Sequence, residues 1–588
     1  MKKNVVLIVI LILAIASPGL LLSQTNKEDE KFEKLLEEYF DSLWKFYPTQ
    51  ATLASYHTYD GNLEDIGSND LTKRHEELDE FNQKFITEID RTKLSPDLQI
   101  DHEMIIDGLD YQLLMHENIL PWEYNPLFYN QILNSCIRAL TTKEFAPIEE
   151  RAANAISRLK AIPGFIKQAK NNLKTPPQLF TELTLMQFPS ILSFYKVDLP
   201  LWIEQVPSSA KNKLQQNLDK AITELESYQG YLENELLPQS TGTFRLSTAH
   251  TRLVRDTFQN ILSLQELIAR AQADYKNIRR EMFLCCMALY KIMEPKINIE
   301  NPPPTISEEQ LKNEVISHVL SHISSEHASK DEFLDVLIKV SDEVKNFLSL
   351  KDMITIPEAD LKIKAMSSDT QGLKWYAFNP PGIYETEKTY LWEISPFPED
   401  IEEETIMSFL QEYNNFFIYF WATRNIFPGS FVPVALTQDN PSIVRKHYAN
   451  LPLMKGWSLF LEEKLVTNGF KNYDIRMRLN QLKCQLRAVQ DFILEFNIHE
   501  SGWTQEQAVA YMVRGGFQTQ AEAERKWNQI ALNPGYSAYG YVGFQELLDL
   551  EKEYKAQKGD AYSLKEFMDD ILQYGLIPIR ILKTKLFQ

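Results

Sequence analysis

The chain has 588 residues, 44% of them hydrophobic and 24% charged, with only 20 glycines; this is the composition of a folded globular protein, long enough for one large multi-lobed domain or several ordinary ones. Acidic residues outnumber basic ones 81 to 61, a formal charge of −20, and a surface of that sign repels phosphate backbones and anionic lipid heads. Nucleic acid is therefore not an expected partner, and no stretch interleaves Lys or Arg with aromatics as a single-strand binder would.

The first residues, MKKNVVLIVILILAIASPGLLLSQ, join two lysines to an apolar run from Val5 and small residues at Ala14, Ala16 and Ser23. That is the layout of a signal peptide over residues 1–23, so the mature chain is expected to be periplasmic or secreted. The alternative is an uncleaved anchor, because Val5 to Leu22 approaches the ~20 apolar residues that span a bilayer, although Pro18-Gly19 interrupts it. A membrane is a partner only in that case. No cysteine lies in this segment, which excludes lipid attachment through one.

Beyond it, Phe32, Leu35, Leu36, Tyr39, Phe40, Leu43 and Trp44 recur at steps of three and one, which predicts one face of a helix ended by Pro48. Similar patterns over 214–238, 264–293 and 311–323 predict a stack of antiparallel helices joined by Pro-containing turns, with NPPPT at 301–305 the sharpest interruption. The aromatics at helical spacing are expected in the core. No fixed-length repeat marks a solenoid. Cys285 and Cys286 sit inside an apolar run and read as core residues; nothing argues for a Cys136–Cys484 bridge, and no CxxC pair suggests a thiolate metal site. His318 and His322, four apart with His327 beyond, could hold a metal, but two solvated histidines on an amphipathic helix are the plainer reading.

The pattern changes at GLKWYAFNPPGIYETEKTYLWEIS (372–395), where β-branched and aromatic residues flank an Asn-Pro-Pro-Gly turn and predict a two-stranded β element. A long helix is expected from about Glu402 to Arg424, with Ile406, Phe409, Leu410, Tyr413, Phe416 and Phe417 on its apolar side. Towards the end, Thr504 with Gln507 and Ser563 with Glu566 read as capping boxes, the second helix stopping at Gly575. The fold class expected is mainly α with a small sheet beside a central cleft. It is one domain over 24–588, with a helical lobe to about 350 and a second lobe over 351–588.

A strand pair, a long helix, a Pro-Gly break and a helix bearing Gly-Trp-x-Leu-Phe resemble the bacterial "domain of unknown function 885" family. The likeness runs from YPTQATLASYHTYDG to LKEFMDDILQYGLIPIRIL. It implies an exported zinc peptidase of the gluzincin kind, with a metallopeptidase-like fold and a catalytic-like second lobe. The family's marks are a His-Glu-x-x-Pro-Gly-His stretch and a later Glu-Gly-Trp-Ala-Leu-Tyr stretch. Here the first reads Arg424-Asn425-Ile426-Phe427-Pro428-Gly429-Ser430 and the second Lys455-Gly456-Trp457-Ser458-Leu459-Phe460.

Zinc needs about three imidazole or carboxylate ligands and a glutamate to deprotonate its water. Arg424 stands where an imidazole is implied, and a guanidinium has no lone pair for a metal. Asn425 replaces the implied general base, and a carboxamide is not basic enough for that role. Ser430 and Lys455 replace the remaining ligands, so two fixed cations stand where a divalent ion would bind. No HExxH occurs elsewhere in the chain. Zinc, expected in the family, is not expected here, and neither is any other cofactor.

The resemblance further marks Trp457, His499, Gln529 and Tyr536 as residues of the cleft, with Gln529 and Tyr536 departing from the family's arginine and glutamine. The leading expectation is a catalytically inactive member whose cleft binds a peptide or an envelope protein, with Arg424 and Lys455 paired to acids such as Glu462 or Glu495. A second is an active hydrolase with a relocated or metal-free site, Ser430 or Ser458 acting beside Lys455. A third is a structural protein whose cleft is closed by Phe427, Phe431, Trp457 and Phe460.

Overall fold

The apolar face read over residues 32–44 forms helix α1 (Lys27–Phe46), and all seven of its large apolar side chains are buried. The computed structural model describes residues 26–294, 307–366, 375–398 and 401–587; the signal segment 1–23 and the NPPPT stretch fall outside them. Pro48 occupies the first turn of the next helix, where its missing N–H costs nothing.

Two further helices, α2 (Ile148–Asn172) and α3 (Ser208–Tyr231), pack together within a core that draws on residues from Ile66 to Leu236. Leu214, Leu218, Ala221, Leu225 and Tyr228 supply the buried face of α3, as steps of three and four require. Next come α4 (Thr248–Phe258) and the 30-residue α5 (Leu264–Met293), which starts at a Ser263–Glu266 capping box. The largest core takes in α1 and most elements after residue 250, from Phe32 to Leu582. All four cysteines are free, with Cys136 in one core and Cys484 in the other. Among the described residues no helix is long and apolar enough to cross a membrane.

The sheet has three strands rather than two. β1 (Asp360–Ala365) runs parallel to β3 (Thr389–Ile394), and β2 (Tyr376–Asn379) pairs antiparallel with β3 through the Pro380-Pro381-Gly382 turn. β1 is an edge strand in which half-buried Leu361 and Ile363 alternate with exposed Asp360, Lys362 and Lys364, but its partner lies 29 positions away (Asp360 opposite Thr389), so it lacks the adjacent turn that reveals a hairpin.

The long helix expected over 402–424 is broken into α7 (Glu403–Glu412) and α8 (Phe417–Asn425), counting Phe333–Leu350 as α6. The Asn414 side chain accepts hydrogen bonds from the backbone N–H groups of Phe416 (3.1 Å) and Phe417 (3.2 Å). This local bonding competes with the helical ladder and restarts the helix on a new axis.

The remaining elements that matter for the site are α9 (Leu451–Thr467), α10 (Ile475–His499), α11 (Gln520–Leu532) and α12 (Tyr539–Lys558), the first three capped by Asn450, Asp474 and Thr519. Helices α9 and α12 cross where Gly456 meets Gly543, and a Cβ on either glycine would collide with the other helix's backbone. The Thr504–Gln507 capping box is complete. At Ser563 only the hydroxyl's half forms, since Lys558 takes the Glu566 carboxylate at 2.5 Å.

Candidate functional site

Helical spacing brings four helix faces around one cavity of about 170 Å³. From α8 come Phe417, Trp421 and Arg424; from α9, Lys455 and Leu459; from α10, Arg487 and Asp491; from α11, Glu522, Arg525, Lys526 and Gln529. Each set falls at positions i, i+3, i+4 or i+7, the separations that place side chains on one helical stripe. The start of β2 adds Trp375 and Tyr376, and the turn before α12 adds Tyr536 and Ser537.

One wall is aromatic. Trp375 stacks on Trp421 with ring centres 4.9 Å apart, and Tyr376 meets the same indole edge-on at 5.4 Å. The Tyr376 hydroxyl donates to Asn425 Oδ1 (3.2 Å) while Asn425 Nδ2 donates to the Trp421 carbonyl (3.0 Å). Both ends of the carboxamide are thus engaged.

The other side is charged, and most of its cations are paired. Arg424 forms a two-pronged pair with Glu462 of α9, Nε to Oε1 at 2.8 Å and Nη2 to Oε2 at 2.9 Å, and Glu462 is fully buried. Burial opposes the guanidinium charge, but the Glu462 carboxylate outweighs it and lifts the Arg424 pKa above its ordinary value. Glu412, at the end of α7, holds both Arg487 (2.6 Å) and Lys483 (3.4 Å). Burial raises the Glu412 pKa, yet the two cations prevail and hold it at about 2. Arg525 pairs with Glu522 and Lys526 with Asp491. Lys455 is the exception: its ammonium lies 5.6 Å over the Tyr536 ring and has no ion pair among the described residues.

Of the positions expected to form the site, Arg424, Asn425, Lys455, Gln529 and Tyr536 line the cavity. Three others do not. Ser430 turns its hydroxyl to the Arg424 carbonyl at 3.3 Å, in the tight turn where a Cβ on Gly429 would press on the Arg424 backbone and on Ser458. Trp457 is wholly buried in the core, because it lies midway between the cavity-facing Lys455 and Leu459 and so points to the opposite side of α9. His499 lies eight residues beyond Asp491 on α10, about 12 Å further along the axis, where its Nε2–H donates to the Ile530 carbonyl at 3.1 Å.

The expected pairing of Lys455 with an acid is not formed among the described residues, and Glu495 serves a different partner. His250 of α4, fully buried, places Nε2 2.9 Å from Glu495 and Nδ1 2.9 Å from Glu500. Glu495 also accepts the Gly535 N–H at 2.6 Å, and the His499 ring stacks on His250 at 5.0 Å. Burial disfavours the imidazolium, but the two carboxylates raise the His250 pKa; His499, lacking the second carboxylate, is lowered by burial. This cluster tethers the turn at Gly535, and with it Tyr536 and Ser537, to α10. The Glu495–His499 spacing of four was legible, but its partner His250 is 245 residues away.

The chemistry of the residues present does not fit a zinc ion. Arg424 offers no lone pair and is engaged by Glu462, Asn425 is engaged at both ends by Tyr376 and Trp421, and Ser430 faces a backbone carbonyl. Among the described residues no three His, Cys, Asp or Glu side chains stand close enough to hold a metal. His318 lies 3.4 Å from Glu294 at the surface, and His322 is exposed. Ser458, nearly fully buried, donates to the Met454 carbonyl at 3.1 Å.

Residues 48–586 match the family described as "Bacterial protein of unknown function (DUF885)". Among solved structures, a "putative lipoprotein of unknown function" from Shewanella oneidensis is similar with a TM-score of 0.80 at 23% identity, over 95% of this chain and 100% of that one. A second, a "putative lipoprotein" from Colwellia psychrerythraea, is similar with a TM-score of 0.75 at 15% identity, over 95% of this chain and 98% of that one. At such identities the likeness is one of fold. No curated protein matches the chain.

Proposed function

This chain belongs to the DUF885 family, and from that premise we propose that it is an exported, metallopeptidase-like protein that does not hydrolyse peptides and uses its cavity to bind a peptide or an envelope protein. The observation that carries the reading is the Arg424–Glu462 pair. It sets a guanidinium, held by a buried carboxylate, at the position where the family resemblance implies a metal ligand. Zinc is accordingly not part of the protein. Export is supported by the signal-like segment 1–23 and by the lipoprotein descriptions of the two similar structures.

The cavity favours binding over the other two readings. Phe427, Phe431, Trp457 and Phe460 are buried, yet none of them lines the cavity, so they do not close it. The hydroxyls of Ser430 and Ser458 are directed to backbone carbonyls, and neither serine lines the cavity beside Lys455. A serine–lysine hydrolase therefore has no geometric support at these positions.

The test is the metal content of the purified protein, its melting temperature with added zinc, and its action on a broad peptide panel. Sub-stoichiometric metal, an unchanged melting temperature and intact peptides are expected, since a ligand of the native state must stabilise it. One zinc per chain, or peptide hydrolysis abolished by a chelator, would overturn the reading.

A further inference from the structure

The cavity holds more hydrogen-bonding capacity than its own residues use. Lys455 Nζ has no ion pair among the described residues. The buried Arg487 Nε and the Ser537 Oγ have no hydrogen-bond partner there either, and all three residues line the cavity. On the acceptor side, Asp491 Oδ2 is taken by Lys526 at 2.8 Å while its Oδ1 is buried without a partner. Polar groups left this way in an apolar surround cost free energy unless a ligand or water satisfies them.

The charge balance is equally uneven. Arg424, Arg525 and Lys526 are each matched by one carboxylate, whereas Glu412 faces two cations, Arg487 and Lys483, and Lys455 faces none. A local excess of positive charge thus lies inside a chain whose formal charge is −20. Against it stands the apolar wall of Trp375 and Trp421. At about 170 Å³ the space is small beside the ~300–1,000 Å³ of ordinary ligand pockets, so it suits the end of a ligand rather than an extended segment.

We infer that the cavity takes the carboxyl-terminal residue of a peptide: Lys455, Arg487 and Ser537 receive the α-carboxylate, Asp491 receives the residue's N–H, and its apolar side chain lies on the Trp375–Trp421 wall. This rests on the binding-cleft reading above. A cation and unpartnered donors in the lining of one small cavity, with an unpartnered acceptor in the same lining, suit an α-carboxylate and the amide next to it. A phosphate or a metal offers no N–H for Asp491.

Calorimetry on the purified protein with Gly-Gly-Gly-Phe, its carboxamide and free phenylalanine tests this. The free acid tetrapeptide should bind at least about tenfold more tightly than its carboxamide, as loss of one charge-assisted contact requires. Lys455→Met should erase that difference by weakening the acid alone, at an unchanged melting temperature, because Lys455 is partly exposed and unpaired. Equal binding of acid and carboxamide would overturn the carboxylate assignment while leaving a binding cleft. Binding of free phenylalanine without the tetrapeptide, or of none of the three, would overturn it as well. Hydrolysis of the tetrapeptide would instead overturn the non-catalytic reading, so the two failures are distinguishable.

Discussion

Arg424 and Glu462 join α8 to α9 through two parallel hydrogen bonds of 2.8 and 2.9 Å, with the carboxylate fully withdrawn from solvent. Removing one partner strands the other. Arg424→Met should therefore destabilise the protein by about 3–5 kcal/mol, the usual cost of an unpaired buried charge, whereas Arg424→Met with Glu462→Leu should recover most of that loss. Urea denaturation of the two variants measures it; a double variant no more stable than the single one would contradict the pairing as the cause.

Gly456 and Gly543 let α9 and α12 touch backbone to backbone. Gly456→Ala forces the helices apart and should cost about 1–3 kcal/mol, as overpacking does. Gly164, inside α2 with open space for 4 Å around the place a Cβ would take, provides the opposite sign: Gly164→Ala should be neutral or stabilising by up to ~1 kcal/mol through helix propensity. Opposite shifts in the denaturation midpoint are the expected result.

Glu412 supplies a pH dependence whose sign follows from its depressed pKa of about 2 against an ordinary 4.5. A carboxylate held below its unfolded value contributes stability above pH 4.5 and loses it as the pH falls towards 2. The contribution is about 3 kcal/mol near neutral pH and about 1 kcal/mol at pH 3. The stability gap between the wild type and Glu412→Gln, followed by urea denaturation from pH 7 to pH 3, should narrow accordingly. A gap independent of pH would show that Glu412 is not ionised against Arg487 and Lys483.

The helices were legible where one side meets the core, because a 3.6-residue period needs no knowledge of the partner; all seven positions read on α1 are buried. Legibility ended where a side chain overrides the ladder, as Asn414 does between α7 and α8, and where pairing is long-range, as for β1. In the site the same divide applies. Lys455, Gln529 and Tyr536 line the cavity, whereas Trp457 belongs to the other side of its helix and His499 to the His250 cluster. Arg487, Asp491 and the α11 stripe from Glu522 to Gln529 carried the helical period, yet nothing local says that these faces meet.

What the sequence by itself determined is chemical. A guanidinium at 424 has no lone pair for a metal and a carboxamide at 425 is not basic enough to deprotonate water, wherever the chain places them, since those properties belong to the side chain alone. What only the tertiary structure decided is partnership. Glu462 answers Arg424 across 38 positions, Glu495 is claimed by His250 across 245, and Lys455 is left without an acid among the described residues, because ion pairing depends on which helix faces come within a few ångströms, and that is set by the packing of the whole core.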